Sequence, residues 1–299
     1  MILNGVQIDD TFAEAFPMKA TRIIITAQSQ KWAYEAALAM TGFATSVIAC
    51  GCEAGIEREL SPRETPDGRP GISVLIFAMG RKGLAKQLST RVGQCVLTTP
   101  TTAVYAGIGE GESLPLGQEI RFFGDGYQVS RVIAGRRFWR VPVMDGEFLA
   151  EETTGMVDGI GGGNFLILAT SQSAALAACE AAVAAMKDLP DTILPFPGGV
   201  VRSGSKVGSK HKGLGASTNT PFCPTLKGVV RSELSPEVES VMEIVIDGLS
   251  FEAIAESMRR GIEAACALGR GQGIVRISAG NYGGKLGPYH FRLWELLRG

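Results

Sequence analysis

"IITAQSQKWAYEAALAMTGFATSVI", residues 24–48, and "LILATSQSAALAACEAAVAAMKDL", residues 166–189, read as the same object. Each opens on an apolar strand, turns through a Ser-Gln pair (Ser29 and Gln30; Ser171 and Gln172) and continues into a helix. A second match lies further on. "SVLIFAMGRKGLAKQLSTRVGQCV", residues 73–96, parallels "EIVIDGLSFEAIAESMRRGIEAAC", residues 243–266, with Leu84, Leu88 and Val92 answered by Ile254, Met258 and Ile262 on an amphipathic helix. The offset grows from 142 (29 to 171) to 170 (84 to 254), so about 28 residues are inserted between the two units of the second half.

Two strand-helix-strand units per half, each closing on a strand such as "IVRISAG" (residues 274–280), predict an α+β protein. The expected form is two ferredoxin-like α/β sandwich lobes from an internal duplication, with antiparallel sheets and helices on one face. "VMDGEFLAEETTGMVDGIGGGN", residues 143–164, is the expected junction, because apolar periodicity lapses there and Gly clusters. The lobes are accordingly set at 1–145 and 146–299, the second carrying an inserted Gly/Ser/Lys loop near 195–225.

Bulk properties narrow the partners. At 299 residues and 45% hydrophobic content the chain can fill sizeable cores, and 29 basic against 30 acidic residues exclude the electrostatic footprint of a nucleic-acid or membrane-surface binder. A small, discrete ligand is expected. Six cysteines scattered through a chain without a signal peptide read as free thiols of a reducing compartment, hence cytoplasmic. Cys50 and Cys52 form a lone C-x-C with no second pair and no neighbouring His, so buried thiols are preferred to a metal site. The Ala-rich run from Ala174 to Met186 is too short to span a bilayer and contains Glu180.

The inserted loop, "SGSKVGSKHKGLGASTNTPFCP" (residues 203–224), has the composition of an anion cradle but not the spacing of a known phosphate loop. Gly199 and Gly204 have the glycine spacing, yet Ser205 stands where the lysine belongs and Val207 follows Lys206. In "AGNYGGKLG" (residues 279–287) Ala279 replaces the first glycine and Leu286 cannot bind a metal. "GIGGGN" (residues 159–164) precedes a strand, the wrong side for a dinucleotide turn. A nucleotide-dependent enzyme is therefore disfavoured.

A resemblance covers nearly the whole chain. "NGVQIDDTFAEAF" (4–16), "TGFATSVI" (41–48), "EAGI", "ETPDGRPG" (64–71), "FFGDGYQ" (122–128), "GGGNF", "PFPGGVV", "SKVGSK", "ASTN" and "ISAGNYGGKLG" occur in order and together resemble formylmethanofuran:tetrahydromethanopterin formyltransferase. The resemblance implies a cytoplasmic enzyme of one-carbon metabolism that moves a formyl group reversibly between methanofuran and N5 of tetrahydromethanopterin. It implies no permanently bound cofactor or metal, with the two coenzymes as substrates. It also implies two α+β lobes and a dimer-of-dimers homotetramer with the site in a cleft at subunit contacts. In a methylotrophic bacterium it implies hydrolase subunits as partners, and the near-neutral charge favours that source over an acidic archaeal protein. A noncatalytic assembly subunit is the rival reading.

In such a transfer the pterin amine attacks a formamide carbonyl, and the departing amine must be protonated, so one acid and a few donors suffice. Glu243 interrupts an apolar strand, "VMEIVIDGL", on the face of Val241 and Val245; its repeat-equivalent is Ser73. A carboxyl among valines has a raised pKa and can donate a proton. The residues alone leave two bland readings open, an outward-facing strand residue or a salt-bridge partner, whereas the resemblance places a functional glutamate on this strand. For substrate binding, the anionic tails implied for both coenzymes suit Lys206 and Lys210, with Ser205, Ser209 and Asn219 as donors. Lys212 lies in the same loop, but His211-Lys212 departs from relatives and carries no role. Asn281, Tyr282 and Lys285 after the last core strand, and Phe196, Gly198 and Gly199 in "PFPGG", are placed to line a cleft. Asp125-Gly126 predicts a hairpin turn presenting Tyr127 for pterin stacking.

Overall fold

The computed structural model describes residues 1–298. The chain forms two compact units. One gathers Met1–Pro17, Ile160–Lys187 and the chain from Phe196 onward; the other gathers Met18–Gly159 and Asp188–Pro195. The expected cut at 145/146 is a single point, whereas each observed unit is assembled from more than one segment. The reason is length: strands Phe12–Thr26 and Thr153–Ala169 each begin in one unit and end in the other.

In the unit built on Met18–Gly159, Lys19–Thr26 pairs antiparallel with Gly71–Ala78 on one side, and its last four residues with Ala103–Ala106 on the other. Gly71–Ala78 in turn pairs antiparallel with Glu53–Leu60. Helices Gln30–Thr41 and Arg81–Arg91 make the crossovers. Every residue of Gly71–Ala78 is buried, which explains its unbroken apolar character. Ile23, Ile25, Ala33, Met40, Ile72, Val74, Ile76, Leu84 and Leu88 close one core between sheet and helices. Each large side chain there contributes about 1.5–3 kcal/mol by leaving water.

The other unit repeats the plan. Thr153–Ala169 ends between Ser240–Gly248 and Ile274–Ser278, antiparallel to both, and helices Gln172–Met186 and Phe251–Ala267 make the crossovers. Val201 bridges the far side of Ser240–Gly248 at Glu243. Ser29 and Ser171, the matched serines, are both helix N-caps, and Ser171 Oγ accepts from the Ala174 amide at 3.2 Å. The strand register reproduces the offsets read from the sequence: Ile24 faces Ser73, and Leu166 faces Glu243.

Two expectations need correction. The sheets are mixed, because Gly146–Glu151 joins Ala103–Ala106 in parallel and Val6–Ile8 joins Ile274–Ser278 in parallel. The Gly-rich junction is no linker, since residues 153–169 form one strand with a bulge between Ile160 and Gly163. Gly162 adopts φ +93°, and a Cβ on Gly163 would stand 2.5 Å from Ile254 Cγ2. Glycine is there so that a helix can press on the bulge, not to loosen the chain.

Candidate functional site

Along Ser240–Gly248, Met242, Ile244 and Ile246 are buried, while Val241, Glu243 and Val245 on the opposite face keep partial exposure. That second face is covered in part by the inserted segment: Phe222, Leu234 and Val241 pack on Leu166, Leu168, Val238 and Val275. Glu243 is flanked on this face by Leu166 and Val201, its two strand neighbours. Loss of hydration among these groups pushes the Glu243 carboxyl up to about 7. Among the described residues no ion pair or hydrogen bond reaches its carboxyl oxygens. The group is thus poised between acid and base near neutrality.

At the equivalent position of the other unit stands a closed cluster. Ser73 Oγ donates to Glu57 at 2.5 Å, and Arg22 grips the Glu57 carboxylate through two nitrogens at 2.7 and 2.6 Å. Arg22 also meets Asp191 at 2.5 Å, and the Asp191 amide donates to Glu57 at 2.7 Å. Burial alone would raise the Glu57 pKa, but Arg22 and these donors hold it below the usual carboxylate range. Of two places with one register, only that of Glu243 keeps a carboxyl with no partner among the described residues.

Tyr282 and Ser205, both read as substrate-binding residues, come together here. Burial raises the Tyr282 phenol, a hydrogen bond from Ser205 opposes that rise, and the charges of Glu243 and then Glu14 add to it. Ser205, Glu243 and Glu14 thus each act on the Tyr282 phenol. The "PFPGG" residues lead into the same place. Gly199 donates to the Phe196 carbonyl at 2.8 Å in a 3-10 turn, with Gly198 and Gly199 at φ +62° and +78°, two residues before Val201 meets Glu243.

The inserted loop forms a small ladder in which Lys206–Val207 pairs with Ala216–Ser217. Ser209 Oγ accepts from the His211 amide at 3.0 Å, and Asn219 packs beside Gly204. Among the described residues Lys206 and Lys210 form no ion pair with any carboxylate. Asn281 donates to Thr11 Oγ1 at 2.9 Å, and Lys285 is exposed on the same loop as Tyr282. Tyr127 belongs to the other unit and is 80% exposed. Its expected hairpin is also corrected: Gly117–Ile120 and Arg121–Gly124 are helical, and Asp125 and Gly126 turn at positive φ after them. The D-G turn signal was right, but a helix feeds it instead of a strand.

Two residues not singled out from the sequence organise this region. Glu14, 1% exposed, accepts backbone N–H groups from Tyr282 at 2.8 Å, Gly284 at 2.9 Å, Gly287 at 3.0 Å and also Leu286. Burial would raise its pKa, but these donors bring it below the usual range. Asn164 accepts from the Gly280 amide at 2.6 Å and donates to the Gly162 carbonyl at 3.0 Å. The available signal for Glu14 was the one that marked Glu243, a carboxylate interrupting an apolar strand. A cavity of about 1010 Å³ lined by Leu97, Thr98, Ile120, Phe123 and Met144, among others, touches none of the expected site residues. Among the described residues no group of three His, Cys, Asp or Glu side chains could hold a metal ion.

The family model for formylmethanofuran-tetrahydromethanopterin formyltransferase matches residues 1–143, and that for its proximal lobe matches residues 146–296. The chain belongs to this formyltransferase family. A formyltransferase of Methylococcus capsulatus is 73% identical over 99% of this chain and 100% of its own length. One subunit of the formyltransferase/hydrolase complex of Methylorubrum extorquens is 54% identical over 99% of this chain and 97% of its own. The crystal structure of that complex, solved with methylofuran, superposes with a TM-score of 0.97 at 53% identity, covering 99% of this chain and 98% of the other. The formyltransferase of Methanosarcina barkeri superposes with a TM-score of 0.94 at 52% identity, over 99% of this chain and 100% of that one. The chain is an enzyme, an N-formyltransferase. No helix among the described residues is long and apolar enough to cross a membrane.

Proposed function

We propose that the cleft at Glu243 is where this formyltransferase passes a formyl group reversibly between formylmethanofuran and N5 of tetrahydromethanopterin. The observation that carries this is the Glu243 carboxyl, which among the described residues has no hydrogen-bond or ion-pair partner and which burial pushes up to about 7. N5 attacks the formamide carbon, the carbonyl becomes an oxyanion, and protonated Glu243 hands its proton toward the amine that leaves. Once C–N cleavage has regenerated the formamide on the pterin, the proton released from N5 returns to Glu243, so atoms and charge balance over the cycle. Tyr282 and Ser205 supply hydrogen-bond donors near the oxyanion. Lys206 and Lys210, both without a carboxylate partner, meet the anionic tails of the coenzymes, with Ser209 and Asn219 beside them and Phe196, Gly198, Gly199, Asn281 and Lys285 along the rim. Tyr127, exposed on the other unit, is the ring proposed to stack on the pterin.

The strand orders and shared register support two ferredoxin-like lobes descended from one duplicated unit, the conventional cut lying at 145/146. The enzyme works in the cytoplasm as a homotetramer, beside hydrolase subunits where the cell makes them, as in the Methylorubrum complex. The test is formyl transfer by the purified chain, with neither metal nor nucleotide added, comparing wild type with Glu243→Gln. Transfer by the wild type and its loss in the variant support the proposal. Equal turnover in both overturns the role of Glu243.

A further inference from the structure

We infer that Glu14 is a positioning residue of this site: its carboxylate gathers the 282–287 loop and through it fixes the backbone that carries Tyr282. The inference rests on the reading of Glu243 given above. Glu14 is 1% exposed, so it acts on substrate only through what it holds. A carboxylate offers about four lone-pair sites. Here Oε2 takes the amides of Tyr282 at 2.8 Å and Gly284 at 2.9 Å, and Oε1 takes those of Leu286 and Gly287, the latter at 3.0 Å. Among the described residues no Lys, Arg or His forms an ion pair with it. Its charge is balanced by loop amide dipoles, the reverse of the usual case in which a backbone nest captures a ligand anion.

The loop needs such a clamp. Residues 281–288 form neither helix nor strand, and Gly283 and Gly284 stand at φ +77° and +70°. Its two ends are tied elsewhere. Asn164 holds Gly280, and Tyr289–Arg292 pairs antiparallel with Phe12–Ala15, where His290 faces Glu14 and stacks near Phe12 with ring centroids 4.5 Å apart. Between these anchors Glu14 takes up four amides at once, and Tyr282 is one of them. The charges of Glu14 and Glu243 both reach the Tyr282 phenol. The clamp therefore joins the buried strand to the loop that carries Tyr282.

Glutamine would keep the size of Glu14 and lose the function. Its amide nitrogen would point donors at two loop N–H groups, costing those amides their carboxylate acceptor. In Glu14→Gln we expect kcat/KM for formyl transfer to fall between about ten- and a hundredfold, the scale of a displaced positioning group. Circular dichroism should stay native, and deuterium exchange should rise in the peptide spanning residues 280–288 but not in Phe251–Ala267. Glu14→Asp keeps the charge but withdraws it by one methylene, and it should show the same pattern more mildly, covering the case in which the Gln variant does not fold. Combined with Tyr282→Phe, Glu14→Gln should cost less than the two single losses multiplied, because both act through one phenol. Wild-type kcat and KM in a folded Glu14 variant, or additive losses with Tyr282→Phe, would overturn the inference. Full activity in Glu243→Gln would instead overturn the reading of the site, so the two failures are separable.

Discussion

Val201 and Glu243 exchange both backbone hydrogen bonds, the Val201 amide donating at 2.8 Å and the Glu243 amide at 2.9 Å. This closed pair fixes the edge of the sheet where the inserted segment begins. It holds the Glu243 side chain on the face away from Met242 and Ile244, so the main chain is paired while, among the described residues, the carboxyl itself has no hydrogen-bond partner.

Glu243→Gln should lower turnover by roughly a hundred- to ten-thousandfold, the usual worth of a positioned general acid-base group. Wild-type kcat should fall as pH rises past about 7, where the carboxyl loses its proton. That limb should vanish from the residual rate of the variant. A pH profile of both proteins measures the two effects together.

The same substitution should change stability with a definite sign. The Glu243 pKa lies at about 7 in the folded chain against an ordinary 4.5, so the folded state binds more protons between those values. Stability of the wild type therefore declines as pH rises through that window, by up to about 3 kcal/mol, and the loss is complete above 7. Glu243→Gln lacks this decline. Urea denaturation of both proteins at pH 5 and pH 8 should show the variant gaining on the wild type at the higher pH.

Removing Lys206 and Lys210 together, as alanines, should raise KM for the coenzyme whose anionic tail they meet by about tenfold and leave kcat within about twofold. The effect should shrink as ionic strength rises and screens exposed charge. Steady-state kinetics at low and high salt measure it.

Arg22→Ala should unfold more easily by about 3–5 kcal/mol, because Glu57 would be left buried without its guanidinium partner. Arg22 and Glu57 belong to the closed cluster at Ser73, in the other unit from Glu243. Turnover of the fraction that remains folded should stay within about twofold of wild type. Thermal denaturation alongside kinetics well below the melting temperature separates the two.

The strands and helices were legible because they announce themselves locally. Leu84, Leu88 and Val92 recur at helical spacing and are all buried, as are Ile254, Met258 and Ile262. The 142- and 170-residue offsets reappear as Ile24 facing Ser73 and Leu166 facing Glu243. The Gly-rich run at 159–163 misled for a local reason as well: glycine marks both a flexible joint and a bulge pressed by a neighbour. Only Ile254 against Gly163 tells which.

By itself the sequence determined the periodicities, the mixed helix-and-strand composition, the family and the odd carboxylate in "VMEIVIDGL", because each is written in residues near one another or in strings peculiar to the family. The tertiary structure alone decided that among the described residues Glu243 has no partner while Ser73 sits against an ion pair. It alone decided, too, that Glu14 reaches 268 residues along the chain to the Tyr282 amide. Such contacts depend on which loop closes over which strand, and their free energy belongs to the pair, so neither residue's neighbours in sequence carry any trace of it.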